Sequence, residues 1–164
     1  MPPPILSIIG KSKSGKTTLI EKIIPILKQR GYHIGTVKHH SHPGFEIDQP
    51  GKDTWRHARA GSDHVVIAAP DKIASIRTLT KEMSLDEIVA GMQEVDLIIT
   101  EGFKWAGKPA VEVVRSPRSQ EIIGDPGRLI AVATNIRLPL DLPQFDLDDG
   151  AGLTDFIEQR FLLK

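Results

Sequence analysis

Residues Gly10 to Thr17 read GKSKSGKT, which fits the spacing G-x-x-x-x-G-K-[ST]. A chain of that spacing can fold its backbone N–H groups around phosphate oxygens. Gly10 and Gly15 permit torsions that a Cβ would resist, so the loop can close tightly. Lys16 is the cation for the β- and γ-phosphates, and the Thr17 hydroxyl is a hard ligand for Mg²⁺. Ser12, Ser14 and Thr18 offer further donors, while Lys11 and Lys13 add charge. The bland alternative is a polar surface turn that happens to precede a helix. The flanks argue against it: an apolar run, Ile5 to Ile9, comes before the loop and a helical pattern from Thr18 follows. Strand, loop and helix in that order place the helix dipole behind the bound anion. The chain is expected to bind a nucleoside triphosphate.

Two carboxylates are candidates to complete such a site. Glu101 follows the apolar run Leu97-Ile98-Ile99-Thr100, so it should stand at the carboxyl end of a buried strand, where it can hold Mg²⁺ or one of its waters. Gly102 then leaves room for the γ-phosphate. The competing reading is an exposed glutamate at a strand end. Asp53 opens a predicted helix, where a metal contact and a plain N-cap are equally good accounts. Asp48 is a weaker candidate for the same role, and Asp96 reads as structural.

The elements that must hold these groups follow from the pattern of apolar residues. A first helix is expected from Thr17 to Arg30, with Ile20, Ile23, Ile24 and Leu27 as its stripe and Gly31 as its cap. Pro25 should kink or break it. Strands are expected at His33 to Lys38, His64 to Ala69, Val95 to Thr100, Ala110 to Val114 and Leu129 to Ala133. Pro70-Asp71 should turn the chain into a hairpin partner at Ile73 to Leu79. Short helices are expected at Asp53 to Ala60 and, from a capping box at Ser84 to Glu87, up to Met92. Pro139 to Asp149 reads as an irregular edge segment, and Gly150 to Leu163 as a closing helix. Strands alternating with helices predict an α/β fold with a mainly parallel sheet, a three-layer P-loop NTPase-like arrangement with an antiparallel hairpin extension.

Composition bounds the rest. The 164 residues suit one nucleotide-binding domain spanning 1–164. Lysine plus arginine and aspartate plus glutamate both total 21, so nothing suggests general attraction to nucleic acid or an anionic membrane. The absence of cysteine excludes disulfides and thiolate chemistry. No apolar stretch approaches a membrane span, and the N-terminal apolar run is too short for a signal peptide. A soluble, cytoplasmic protein is expected.

Several separated segments also occur in order: the phosphate loop, Thr36 to His40, Gly51-Lys52-Asp53-Thr54, Ala60-Gly61, Asp96 to Lys104 and Ala131 to Asn135. Together they resemble the MobB-type adapter proteins of molybdopterin-guanine dinucleotide biosynthesis. The resemblance implies a GTP-binding homodimer that works beside the guanylyltransferase joining GMP to molybdopterin, with weak GTP hydrolysis of its own. More distantly, the chain is similar to dethiobiotin synthetase and to GTPases of nickel delivery. By position, that wider group implies Mg²⁺ at Thr17, Asp53 and Glu101, and Lys38 as a phosphate-facing cation acting with Lys16. Lys11 resembles a lysine that, in one branch of these proteins, crosses to a partner's nucleotide; the alternative is a solvated loop lysine. A full guanine-reading motif, Asn/Thr-Lys-x-Asp, is missing, since Thr134-Asn135-Ile136-Arg137 stands after the strand. Asn135 alone can face the base edge, and its amide is ambidextrous.

His39, His40 and His42 share one loop. A transition-metal site is one reading, and a polar loop near phosphates is the better one, because adjacent residues of an extended chain point apart. Lys104, Lys108, Arg115, Arg118 and Arg128 form either a solvated face or a cationic surface for molybdopterin phosphate or an acidic partner. Phe103 and Trp105 are suited to stacking on a pterin or to a dimer contact. Two other functions stay open on the residues alone: an ATP-dependent small-molecule kinase or ligase, and a metallochaperone GTPase using the histidine loop.

Overall fold

A computed structural model describes residues 2–163. They form two compact units, one made of residues 40–83 and the other of the chain before and after it. The larger unit carries a six-stranded sheet of β1 (Ile5–Gly10), β2 (Ile34–Lys38), β5 (Leu97–Glu101), β6 (Ala110–Val114), β7 (Leu129–Thr134) and β8 (Gln144–Asp146). The order is β2-β5-β1-β6-β7-β8, and every pairing is parallel. Strand β1 lies in the middle, with the chain leaving it towards β2 on one side and returning to β6 on the other. Ligands of open α/β sheets sit at the carboxyl ends of strands at such a reversal.

Both faces of the sheet are covered, which is why its strands are near-continuous apolar runs rather than alternating ones. On one face Leu6, Ile8, Leu97, Ile99, Val111 and Val113 pack against helix α1 (Lys16–Gln29) and helix α4 (Gly150–Phe161). On the other, Ile98 packs with Leu85 and Val89 of the short helix α3 (Leu85–Val89). Leu19, Ile20, Ile23 and Leu27 form the buried stripe of α1. Pro25 does not break that helix: it stands on the exposed side, as does Glu21 four residues before it, and the buried face carries the turn through. Arg30 of the helix end grips Asp155 and Glu158 of α4, tying the two helices together.

Helix α3 has the expected capping box, Ser84 with Glu87. It ends at Val89, and the chain winds on to Met92 through tighter bonds, Gly91 to the Ile88 carbonyl and Met92 to that of Val89. The segment expected to be irregular contains β8, three residues long, paired to β7 through Thr134 and Asp146. So short a strand between prolines and aspartates carries no readable period.

The smaller unit holds helix α2 (Asp53–Arg59) and a hairpin of β3 (His64–Ala69) with β4 (Lys72–Arg77). Its register runs from His64 opposite Arg77 to Ala69 opposite Lys72, so Pro70 and Asp71 form a two-residue turn. Val65 is its buried apolar side chain among the described residues. No helix among the described residues is long and apolar enough to cross a membrane.

Candidate functional site

The loop from Gly10 to Gly15 joins β1 to α1 as expected. Gly10 has φ +146°, and a Cβ there would lie 2.6 Å from the Val113 carbonyl oxygen of the neighbouring strand, so only glycine fits. Lys16, the first residue of α1, folds its ammonium back over the loop and donates to the carbonyls of Gly10 and Lys11, both at 3.0 Å. Its pKa is lowered from the ordinary lysine value mainly by burial; Glu101 opposes the shift and Lys38 adds to it. Ser14 is fully buried, with a hydroxyl that has no hydrogen-bond partner among the described residues. A buried unpaired hydroxyl is costly, and a bound anion would satisfy it.

Glu101 closes the opposite wall. It ends β5, beside the end of β1, since Ile8 is in register with Glu101. The Thr17 hydroxyl donates to its two carboxylate oxygens at 3.0 Å, and Lys38 Nζ donates to Oε1 at 2.8 Å. Lys38 reaches it because β2 pairs with β5 and Lys38 is in register with Glu101. The donor set is a hard one, hydroxyl and carboxylate. Adjacent oxygens in an Mg²⁺ octahedron, each about 2.1 Å from the ion, lie roughly 3.0 Å apart, which matches the Thr17–Glu101 separation of 3.0 Å. Gly102 follows with φ +90°, so it too needs glycine, and a Cβ there would press on His39 at 3.2 Å.

Lys13, Gly15, Lys16, Thr17, Thr18, Glu101 and Arg115 line one pocket of about 280 Å³. A second, of about 370 Å³, shares Gly15, Thr18 and Arg115 with it and extends to Lys22, Asn135, Asp146 and Asp148. Arg115 thus stands where the two meet, a role its place among surface-like charges did not announce. Two further contacts fix its loop. Arg118 donates to the Ser12 carbonyl at 2.8 Å, and Arg115 N–H to Ser119 Oγ at 3.0 Å. Beneath it, Glu112 of β6 is buried and accepts from the N–H groups of Ile123 and Gly124 at 2.7 and 2.9 Å. A charge in the middle of the run Ala110 to Val114 was the available signal, because a buried carboxylate must find donors.

The other expected residues divide. Asn135 spends both ends of its amide on Ser116, accepting from its N–H at 2.8 Å and donating to its carbonyl at 3.1 Å. Asp53 opens α2 as its first residue, with Lys52 as the N-cap, so the plain N-cap account fails. The basic residues after Glu101 do not act alike: Lys108 pairs with Asp86 at 2.6 Å and Lys104 lies over the Trp105 ring at 4.8 Å. Phe103 is half-buried with its ring 4.9 Å from that of His39, whereas Trp105 is 78 % exposed. Among the described residues no three His, Asp or Glu side chains converge into a ready metal-binding group. His40 instead shares a hydrogen bond of 2.7 Å with the His42 carbonyl.

Comparison with known proteins places this arrangement. The family model described as molybdopterin guanine dinucleotide synthesis protein B matches residues 5–135. The molybdopterin-guanine dinucleotide biosynthesis adapter protein of Haemophilus influenzae is 36 % identical over 157 residues, covering 94 % of this chain and 88 % of that one. Its Escherichia coli namesake is 34 % identical over 161 residues, covering 94 % and 91 %. Among solved structures, molybdopterin-guanine biosynthesis protein B superposes with a TM-score of 0.74 at 36 % identity, covering 95 % of this chain and 99 % of that one. Bacillus subtilis MobB gives 0.78 at 25 % identity, covering 98 % and 99 %. With a glycine-rich loop between strand and helix, a parallel sheet and relatives matched over most of their length, this chain belongs to the MobB family of molybdopterin-guanine dinucleotide synthesis proteins.

Proposed function

We propose that this chain is a GTP-binding adapter in molybdopterin-guanine dinucleotide biosynthesis, working as a homodimer beside the guanylyltransferase of that pathway. The observation that carries the reading is the group of Lys16, Thr17, Lys38 and Glu101 around the mouth of the phosphate loop. The adapter names of the relatives support the pathway.

In this reading the backbone N–H groups of residues 11 to 16 wrap the β-phosphate, and the Ser14 hydroxyl gains the acceptor it lacks. Lys16 exchanges its two loop carbonyls for phosphate oxygens. Thr17 and Glu101 would hold Mg²⁺, and the ion would supply charge neutralisation at the phosphates. Lys38 then turns from Glu101 towards the γ-phosphate. Glu101 is the single carboxylate lining this pocket among the described residues, and it is committed to Thr17 and Lys38. No second one stands there to orient an attacking water, which supports slow hydrolysis and an adapter rather than a kinase. The dimer draws support from Phe45, Ile47, Ile67 and Ile73, apolar side chains of the smaller unit left exposed by 57 to 74 %.

Calorimetric titration with non-hydrolysable GTP and ATP analogues, with and without Mg²⁺, tests the reading. Mg²⁺-dependent binding that favours GTP is expected. Equal affinity or a preference for ATP would move the assignment to a kinase or ligase.

A further inference from the structure

The pocket that extends the phosphate site has a floor assembled from three separate parts of the chain. Thr18 and Lys22 come from α1, Asn135 from just after β7, and Asp146, Leu147 and Asp148 from the end of β8 and the turn before α4. The wall at its loop end includes Ser14, whose buried hydroxyl lacks a partner. At about 370 Å³ the pocket has room for a purine nucleoside.

Its polar groups are already oriented. Lys22 Nζ donates to the Leu147 carbonyl at 2.9 Å and to Asp148 Oδ1 at 2.6 Å, so the turn is held down onto α1. Gly150 lets the chain pass there, since a Cβ would lie 3.0 Å from that of Lys22. Asp146 Oδ1 accepts from the Asp148 N–H at 2.8 Å. Each carboxylate therefore has one oxygen engaged in these bonds, and both residues line the pocket, the Asp148 side chain with 91 % exposure. Lys22, with three N–H donors, has one more than these two bonds use. The Lys22 ammonium also holds the Asp148 carboxyl below its ordinary range, so it is an anion and a pure acceptor at neutral pH.

The match with nucleobases is selective. Guanine presents N1–H and N2–H₂ side by side on one edge, with the O6 acceptor beside them. A carboxylate next to an ammonium complements that row, and hydrogen bonds to charged groups are the strong ones. Adenine presents a lone pair at N1, which a carboxylate repels. We propose that Asp146 and Asp148, held by Lys22, form a guanine-reading site that takes the place of the aspartate missing after Asn135. In this arrangement Asn135 is a positioning residue: its amide fixes Ser116, next to Arg115, at the junction of the two pockets. The inference rests on the triphosphate occupying the phosphate loop.

The experiment is a titration of the full chain with GTP, inosine, xanthosine and adenosine triphosphates, and with inorganic tripolyphosphate, for the unaltered protein, Asp146→Asn, Asp148→Asn and the double variant. The unaltered protein should prefer GTP over the inosine and adenosine forms by roughly ten- to a hundredfold, the range for a hydrogen bond to a charged group. An asparagine can accept from N1–H and donate to the C2 carbonyl of xanthine. At least one variant should therefore lose GTP by a similar factor and bind the xanthosine form more tightly, with tripolyphosphate unchanged. Unaltered base preference in the double variant overturns the proposal, as does an equal loss of every base, which would mark the carboxylates as supports of the turn. Tight tripolyphosphate binding without base preference in the unaltered chain overturns it while leaving the phosphate loop intact. No binding of tripolyphosphate or any nucleotide would remove the phosphate-loop reading, and this one with it.

Discussion

The two units of this chain treat their apolar residues in opposite ways. In the larger one, Leu6, Ile8, Ile23, Leu97, Ile98 and Ile99 are fully buried between helices and sheet. In residues 40–83, Val65 is the buried apolar side chain among the described residues, while Phe45, Ile47, Val66, Ile67, Ile73 and Leu79 are all at least 45 % exposed. The lesson concerns where geometry can be trusted to chemistry. Thr17, Lys38 and Glu101 meet at 2.8 to 3.0 Å because each sits at the end of an element anchored in the larger unit, Lys38 and Glu101 on paired strands and Thr17 on the helix that packs against the sheet. The smaller unit offers instead an apolar surface, of the kind that protein contacts use.

Truncating a side chain in each region should expose that difference most strongly. Ile23→Ala removes a fully buried group from the interface of α1 with the sheet. It should cost about 2–5 kcal/mol of folding stability by denaturant titration. Ile73→Ser, at a position 71 % exposed, should change stability by about 0.5 kcal/mol or less. Its effect should appear in sedimentation as a weaker dimer. A large stability loss for Ile73→Ser would mean that the hairpin has a core of its own, and the contrast would collapse.

Removing chemistry without packing is the next largest effect. Lys16→Ala deletes an ammonium that holds two loop carbonyls and no apolar neighbour in the core clusters. Triphosphate affinity should fall by about a hundredfold, the upper range for bonds to a charged group. The thermal midpoint should stay close to that of the unaltered chain. Unchanged affinity would sink the phosphate-loop assignment.

How much of this could be read from the sequence depends on chain separation. The loop from Gly10 to Thr17 is contiguous, so its residues and both flanking elements are readable at once. The β3–β4 hairpin is readable for the same reason, through Pro70-Asp71 between two apolar runs. Glu101 needed one further step, a carboxylate after a buried strand. Arg115 was legible only as one of several basic residues, and Asp146 and Asp148 offered no such signal. They come to line one pocket because β6, β7 and β8 follow β1 in parallel order across the sheet, a long-range pairing that leaves no local period. Pro25 shows the converse: its local rule allows a break, and the helix, with its buried stripe on Leu19, Ile20, Ile23 and Leu27, runs on through it to Gln29.

A smaller effect separates the metal role of Glu101 from its structural one. This carboxylate holds Thr17 and Lys38 by hydrogen bonds, so it also has a structural part in the wall. Glu101→Gln keeps the shape and removes the charge. Triphosphate affinity with Mg²⁺ should drop by about tenfold, the lower range for a charged partner, and affinity in chelator much less. An equal loss in both conditions would mark Glu101 as a strut of the larger unit alone.

The finest test reads the electrostatics of the same wall. Burial lowers the Lys16 pKa, Lys38 lowers it further, and Glu101 pulls it back up. The folded chain therefore holds fewer protons on Lys16 than the unfolded chain does between that lowered value and the ordinary 10.5. Across that window the group opposes folding less as pH rises. Its partial exposure keeps the contribution small. A bound triphosphate reverses the imbalance, because phosphate oxygens stabilise the ammonium, so binding at alkaline pH should take up a fraction of a proton. Calorimetry at about pH 9, below the ordinary lysine value, in two buffers of different ionisation heat measures it directly. Glu101→Gln should enlarge the uptake, since the group that holds the Lys16 pKa up is gone. Uptake that is absent, or unmoved by that substitution, would mean that Lys16 and Glu101 do not sense one another across the mouth of the loop.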